Sequence, residues 1–370
     1  MRNVLLILLA IFLCGCTPKR EQTVVQFASW GSKSEIEILK PVLSDFEREN
    51  PDIRVDFMHI PQNYFQKIHL LFASNTAPDV IFINNLYLPV YANAGVLEEL
   101  NTNQEFYPQS IQALSWQGKL YAVPRDVSNL VIFYNKDMFK RKNIPLPNKN
   151  WTFEDFLKTA QKLTDKNTFG ISFEEDPYFY LPYLMSNGGG ILPNEIQKPE
   201  SQESLKFYAN LRNKYHVAPK KSESASATMA QMFLQERIGM YLSGRWMVPK
   251  FREECTFDWD IVQFPNGTKG SVVQLDASGW AISKSSKHKE EAKKLVNYLS
   301  SKFSSEKFVK SGLIIPARKD VNVIDNKKPN NTKAFIDVIE TSKPTPVTKD
   351  YKEITDKLKQ STESLFNPMY

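Results

Sequence analysis

Strands and helices are predicted to alternate along the first part of this chain, and this alternation limits the fold to the α/β class. The β-rich stretch 24–28 is followed by 34–49, where apolar residues recur at helical spacing. Residues 53–57 alternate like a strand, 64–74 are again helical, and 79–83 form a continuous apolar run typical of a strand buried on both faces. Such an order favours a sheet with parallel neighbouring strands.

The middle of the chain continues the same pattern. Residues 130–135 predict a strand that leads into a helix. Thr152 is a suitable N-cap for a helix over 153–163, with Asp155 as the acidic residue of a capping box.

The last third of the fold also alternates. We predict strands at 259–264 and 271–275, separated by a Pro-Asn-Gly turn sequence. A separate strand is predicted at 279–283, and 289–299 has the spacing of an amphipathic helix.

The N-terminus has the features of an export signal. Ten consecutive apolar residues, 4–13, follow Arg2. They fit the hydrophobic region of a secretory signal and fall short of the about 20 residues needed to span a bilayer. The Leu-Cys-Gly-Cys sequence that ends at Cys16 resembles a bacterial lipobox. The resemblance implies a signal peptide over 1–15, a lipid on Cys16, a spacer over 16–23 and an anchor on the extracytoplasmic side of a membrane; a plain secretory signal is the alternative.

Composition excludes several classes of function. The 370 residues, 42% hydrophobic and 24% charged, suit a soluble globular protein with room for two domains. The net charge of +6 is spread over mixed-sign runs such as 284–294, which favours solvated helix faces over a nucleic-acid patch. Only Cys255 accompanies Cys16 after the leader, so we expect no intramolecular disulfide. The four histidines lack metal-ligand spacing, and we expect no metal and no cofactor.

Ten short segments keep the order and spacing of one protein family between about residue 24 and residue 320. They include the sequences NPDIRV, GKLYAVP, FYNKDMF, GRW and GLIIPAR. The ten segments are 45–55, 77–80, 95–100, 118–124, 133–139, 151–156, 187–189, 233–246, 279–283 and 312–318. Together they resemble the extracytoplasmic solute-binding proteins of ABC importers, in the sugar-binding group that includes maltose-binding protein.

This resemblance implies a fold of two α/β lobes that close on a ligand in the cleft between them. The chain would cross between the lobes near 123–126, 275–278 and 316–319. The implied N-terminal lobe comprises 24–124 and 278–317, and the implied C-terminal lobe comprises 125–277 and 318–370. The resemblance also implies a monomer that captures a sugar or sugar-like solute and delivers it to the permease subunits in the membrane.

A sugar site needs flat aromatic rings and planar polar groups, because sugars present apolar C–H faces and hydroxyl groups. Trp30 follows a strand end, a position where α/β folds build ligand sites. The resemblance places Trp246 against the sugar ring, and Trp280 is a further candidate. We also predict Tyr180 as a ligand residue, with Tyr178 equally placed and core packing as the alternative for both.

The polar candidates lie at strand ends and at the implied crossings. They are Asn84, Asn85, Arg125, Asp126, Asn187, Arg245 and Asp276. The alternatives are turn formation for Asn84 and Asn85, and mutual pairing for Arg125 and Asp126. Arg125, Arg245 and Arg318 together would instead suit an anionic solute, such as glycerol phosphate or an acidic sugar.

Two other classes of function are less well supported by the sequence. An exported glycan hydrolase would need two carboxylates facing each other across a cleft, and Asp79 and Asp137 are already explained as turn or cap residues. No G-x-S-x-G, H-E-x-x-H, P-loop or G-x-G-x-x-G motif is present. An adhesin or structural lipoprotein would lack a ligand cleft. The sequence therefore predicts a binding protein that is not an enzyme.

Overall fold

The computed structural model describes residues 22–224, 226–323 and 327–368, with strands in two main sheets and one short hairpin. The strands are β1 (Thr23–Ser29), β2 (Ile53–His59), β3 (Val80–Asn84), β4 (Ser115–Trp116), β5 (Lys119–Leu120), β6 (Val123–Asn129), β7 (Val131–Asn135), β8 (Phe169–Ile171), β9 (Ile238–Ser243), β10 (Trp259–Val262), β11 (Gln274–Ile282), β12 (Ile315–Pro316) and β13 (Lys343–Pro344). The helices of the first half are α1 (Lys33–Glu49), α2 (Tyr64–Ala73), α3 (Leu88–Asn93), α4 (Pro108–Ala113), α5 (Lys136–Arg141), α6 (Phe153–Leu163) and α7 (Pro177–Met185). Those of the second half are α8 (Pro193–Ile196), α9 (Pro199–Asn213), α10 (Lys221–Ser224), α11 (Met229–Leu234), α12 (Val248–Glu254), α13 (Lys289–Leu299), α14 (Lys302–Lys310), α15 (Ala334–Asp337) and α16 (Tyr351–Phe366), with a 3₁₀ turn at Arg245–Met247.

The first sheet has the order β12-β6-β11-β3-β1-β2, with β13 beside β11. β1 is parallel to both β2 and β3, which confirms the predicted parallel neighbours. β11 is antiparallel to β3 and to β6. The side chains of β3 from Val80 to Ile83 are at most 1% exposed, as the continuous apolar run predicted. We call the part of the molecule built on this sheet lobe 1.

The second sheet has the order β10-β7-β9-β8. β7 lies antiparallel to β10 and β9, and β8 is parallel to β9. The helices α6, α7, α9 and α16 bury apolar side chains in the core beside this sheet. We call this part lobe 2, and the two lobes together form a mixed α/β fold.

The chain crosses between the sheets at positions that differ from the predicted lobe boundaries. β6 stays in the first sheet as far as Asn129, where it pairs with Leu275, so the first crossing is at Leu130. The chain is back in the first sheet at Gln274, where β11 begins. This is four residues before residue 278, the predicted start of the second segment of the N-terminal lobe. After β12 the chain reaches lobe 2, where the Asn331 backbone N–H donates to Asp260 Oδ1 at 2.9 Å.

The predicted strands at 271–275 and 279–283 are corrected to the single strand β11. The turn sequence before it does not join two paired strands, because β10 pairs with β7 while β11 pairs with β3 and β6. After β13 pairs with β11, the chain returns to lobe 2 and ends in α16.

Two helices form as their sequences predict. In α6 the Thr152 hydroxyl accepts from the Asp155 backbone N–H, and the Asp155 carboxylate accepts from the Thr152 backbone N–H at 3.0 Å. This capping box satisfies backbone donors that the first helical turn leaves unpaired. The inward residues of α13 are all buried, namely Ala292, Leu295, Val296 and Leu299.

The predicted export signal and lipidation site at Cys16 lie outside the described residues. Across 22–224, 226–323 and 327–368, none of the helices combines the length and apolar character that crossing a membrane requires.

Candidate functional site

A cleft of about 960 Å³ lies between the two lobes. Lobe 1 contributes residues of α2 and the segment 86–91, and lobe 2 contributes the start of α7 together with α16. A volume of this size suits a small organic ligand, since such pockets usually measure about 300–1,000 Å³.

The lobe 1 wall of the cleft consists of Phe65 and Tyr87. Their rings stack with centroids 3.6 Å apart and an interplanar angle of 11°. The half-buried Trp30 lies behind Phe65, with ring centroids 5.1 Å apart, and also packs on Tyr64 at 4.9 Å. Trp30 therefore supports the wall from beneath, at the end of β1.

The lobe 2 wall includes Tyr178 and Phe179, and Trp246 lies beside Tyr178. Tyr178 and Phe179 line the cleft at the start of α7, and the Trp246 ring lies 6.4 Å from that of Tyr178. Trp246 is 38% exposed. A Cβ on Gly244 would lie 1.9 Å from Cζ3 of this ring, so only glycine at that position allows the observed ring placement.

The side chain of Asn85, which follows β3, is held against β11. Asn85 donates from Nδ2 to Asp276 Oδ1 at 3.0 Å, and the Ala277 backbone N–H donates to Asn85 Oδ1 at 3.1 Å. On the lobe 2 side, Gln274 Nε2 donates to the backbone oxygen of Tyr178 at 2.6 Å. Asn84 Oδ1 accepts from the backbone N–H of Tyr87 at 3.2 Å, which is the turn role that its residue type allows.

Arg125 and Asp126 pair with each other. The sequence analysis gave this pairing as the alternative to ligand binding. Arg125 Nη2 donates to Asp126 Oδ2 at 2.9 Å and approaches Glu35 Oε1 at 3.5 Å. Burial raises the pKa of Asp126, the Arg125 guanidinium opposes that change, and the charge of Glu35 adds to it. Burial also disfavours the charge on Arg125, but Asp126 and Glu35 outweigh it and raise the pKa of Arg125.

The charged residues at the cleft mouth pair with one another. Lys359 lies 2.7 Å from Asp176, and Lys352 lies 2.6 Å from Asp356. Lys349 lies 3.0 Å from its neighbour Asp350. The lysines on this side of the cleft are therefore balanced by adjacent carboxylates.

The structure corrects four of the predicted ligand residues. Tyr180 and Trp280 are 0% exposed and belong to the cores of lobe 2 and lobe 1. Arg245 is 1% exposed and lies over the Phe335 ring. Asn187 follows the C-terminal end of α7, about 13 Å along the helix from Tyr178, and its Oδ1 accepts from the Thr268 backbone N–H.

The sequence analysis missed most of the cleft aromatics. Phe65, Tyr87, Phe179 and Tyr351 line the cleft and were not predicted, and Tyr178 was weighed but not chosen. Of these four, Tyr87 alone had a usable signal, because it follows the predicted strand at 79–83. Among the described residues no group of three or more histidine, cysteine, aspartate or glutamate side chains is placed to hold a metal ion.

Residues 31–302 match the model of the family described as bacterial extracellular solute-binding protein. The chain belongs to this family. The matched segment includes the elements of both cleft walls except α16.

Curated relatives and solved structures match along most of the chain. The galactooligosaccharide-binding protein of Bacillus subtilis is 23% identical and covers 93% of this chain and 87% of its own length. An ABC substrate-binding protein of Listeria monocytogenes, solved in complex with cycloalternan, is 26% identical with a TM-score of 0.83 and 94% coverage of both chains. The sugar-binding protein MalE of Xanthomonas citri, at 24% identity, has a TM-score of 0.79 over 93% of this chain and 92% of its own, and supports the fold alone.

Proposed function

We propose that this protein is the substrate-binding component of an ABC importer that captures a neutral sugar between its lobes and delivers it to the membrane permease. The observation that carries the proposal is the pair of aromatic walls, Phe65–Tyr87 and Tyr178–Phe179, on opposite sides of one cleft. Flat rings on both sides can stack on the apolar faces of a sugar while polar groups between them bind hydroxyls.

The relatives support a sugar as the ligand class. Two of those cited above are named as a galactooligosaccharide-binding protein and as a substrate-binding protein solved in complex with cycloalternan. The family, described as extracellular solute-binding, supports a role in capture, and the proposal is that the ligand is bound without chemical conversion.

The arrangement of charges favours a neutral ligand over an anionic one. Arg318 donates from Nε and Nη2 to the two carboxylate oxygens of Asp320, at 2.8 and 2.9 Å. Arg125 is paired with Asp126, and Arg245 lies beneath the surface over Phe335. These three arginines do not converge on the cleft, and the cleft lysines are paired with carboxylates. An anion would have to compete with those carboxylates.

The proposal includes attachment to the membrane through a lipid on Cys16 and function as a monomer. The leader sequence and the polar spacer after it support the anchor. Replacement of Cys16 by Ser should release the protein from the membrane fraction and abolish fatty-acid labelling.

Isothermal titration of the chain from residue 22 onward tests the ligand class. The panel contains neutral mono- and oligosaccharides, glycerol phosphate and an acidic sugar. We expect one saturable site for a neutral sugar, weaker or no binding of the anions, and unchanged ligand after prolonged incubation. Preferred binding of an anion would overturn the neutral-ligand proposal, and product formation at substoichiometric protein would show an enzyme instead.

A further inference from the structure

We propose that Gln274 is a positioning residue for the lobe 2 wall of the cleft, and that it acts on a backbone carbonyl that Pro182 leaves without its helical partner. The carbonyl belongs to Tyr178, in the first turn of α7. The inference rests on the proposed function, because this turn lines the proposed sugar site. Gln274 is 0% exposed, so it acts through Tyr178 and not by contact with the ligand.

The sequence of α7 leaves the Tyr178 carbonyl open to a donor from elsewhere. In an α-helix, the carbonyl of each residue accepts from the N–H of the residue four positions later. For Tyr178 that residue is Pro182, which has no N–H and whose ring also clashes with the carbonyl four positions earlier. Burial of a backbone carbonyl without a donor costs about as much as a lost hydrogen bond.

Gln274 supplies the missing donor from the lobe 1 sheet. Its Nε2 donates to the Tyr178 backbone oxygen at 2.6 Å, although 96 positions separate the two residues in the chain. Gln274 is the first residue of β11. Because a carbonyl oxygen can only accept, the amide must present its NH₂ group here, which fixes the orientation of the side chain. The bond therefore joins the first turn of α7 to lobe 1.

The other hydrogen bonds of this turn hold it within lobe 2. Asp176 Oδ1 accepts from the Tyr178 backbone N–H at 3.0 Å, and the Asp176 backbone oxygen accepts from the Phe179 N–H at 2.9 Å. Asp176 also pairs with Lys359 of α16 at 2.7 Å. These contacts shape the turn, whereas the bond from Gln274 sets its position relative to the opposite wall.

The lobe 1 wall is attached to the same stretch of β11. Asn85, two residues before Tyr87, is hydrogen-bonded to Asp276 and Ala277. Gln274 and Asp276 are two positions apart and so lie on one face of the strand. The spacing between the walls thus depends on one short segment. Rings held in place before the ligand arrives lose little freedom on binding, which improves affinity without an added contact.

The test compares Gln274→Met with a matched control, Asn129→Leu. Gln274→Met keeps the length of the side chain and removes its donor. Asn129 lies on the neighbouring strand β6, is also 0% exposed, and donates from Nδ2 to the Phe335 backbone oxygen at 2.9 Å. Both variants remove one buried hydrogen bond from an amide to a backbone carbonyl, but of the two carbonyls only that of Tyr178 belongs to a cleft wall.

Calorimetric titration with glucose, galactose, maltose and maltotriose measures the effect on binding. Gln274→Met should raise Kd about threefold to tenfold for every sugar that the native chain binds, and Asn129→Leu should leave Kd within about twofold. Hydrogen–deuterium exchange of the ligand-free proteins should be faster in the first turn of α7 in Gln274→Met and unchanged there in Asn129→Leu. Both variants should lower the folding equilibrium constant about tenfold in denaturant unfolding.

Pro182→Ala tests why the Tyr178 carbonyl needs Gln274. Alanine restores an N–H that can donate to this carbonyl within the helix. In the Pro182→Ala background, Gln274→Met should therefore lower the folding equilibrium constant by about twofold or less, because the carbonyl keeps a partner.

Two results would overturn the inference. A Kd for Gln274→Met no higher than that for Asn129→Leu would mean that Gln274 only stabilises the fold. Equal losses of stability from Gln274→Met with and without Pro182 would mean that the proline does not create the need for the bond. If the native chain binds none of the four sugars, the proposed ligand class is wrong, and exchange in α7 together with the stability cycle still decides whether Gln274 holds the wall.

Discussion

Replacement of Trp246 by alanine tests whether a bound sugar also stacks on the ring beside Tyr178. A large aromatic side chain offers about 250 Å² of surface, and Trp246 leaves 38% of its surface exposed. A sugar that covered this exposed part would bury about 95 Å², which corresponds to about 2.4 kcal/mol at about 25 cal/mol per Å². We therefore expect Trp246→Ala to raise Kd by up to about fiftyfold.

Calorimetric titration of Trp246→Ala should be run beside Trp116→Ala. Trp116 is also partly exposed, but it lies on β4 and lines a different groove, beside Pro108 and Pro344. The control should bind the sugar with native affinity. Affinity of Trp246→Ala within about twofold of the native chain would refute the stacking role. Native affinity together with a large fall in melting temperature would identify Trp246 as a packing residue.

Three further predictions follow from local geometry and burial. Gly244→Ala should raise Kd toward that of Trp246→Ala in the same titration, because its Cβ would overlap the Trp246 ring while its φ of −111° carries no strain. Burial, followed by the charge of Asp176, raises the pKa of Glu174 to about 7 from 4.5. The folded state therefore binds this proton more tightly than the unfolded state, and the resulting stability is present below about pH 4.5 and lost as the pH rises to about 7. Glu174→Gln should remove this dependence in thermal unfolding and be more stable than the native chain above about pH 7. Burial also raises the pKa of Cys255 to about 12, so alkylation followed by mass spectrometry should be slow in the folded protein and fast in denaturant.

Local sequence patterns predicted the elements whose boundaries are set by local interactions. α6 has the predicted bounds because its capping box is complete within four residues. β11 was divided in two because Asp276 and Ser278 interrupt the apolar run. In the structure these two residues alternate with buried Ala277 and Gly279, which is the period of a strand. The strand β11 pairs with β3 and β6, which lie far away along the chain. Local sequence patterns do not predict such pairing.

The site was harder to predict than the fold, because the direction of a side chain depends on how the lobes meet. Tyr178 and Tyr180 are two positions apart on α7, about 200° around the helix. The first therefore lines the cleft, while the second packs in the core against Tyr208 and Phe366. Strand-end reasoning placed Trp30 near the cleft, but Phe65 lies on a helix whose facing residues become clear only in the folded structure.

Hydrogen–deuterium exchange with and without a bound neutral sugar tests the central claim most directly, because it locates the ligand on the chain. A ligand held between both aromatic walls should slow exchange in α2 and the segment 84–91 of lobe 1, and in the first turn of α7 and in α16 of lobe 2. The Trp246→Ala variant, at the same sugar concentration, should show less protection in both lobes. Protection confined to one lobe, or found beside the β4–β5 hairpin instead, would contradict a sugar site between the lobes.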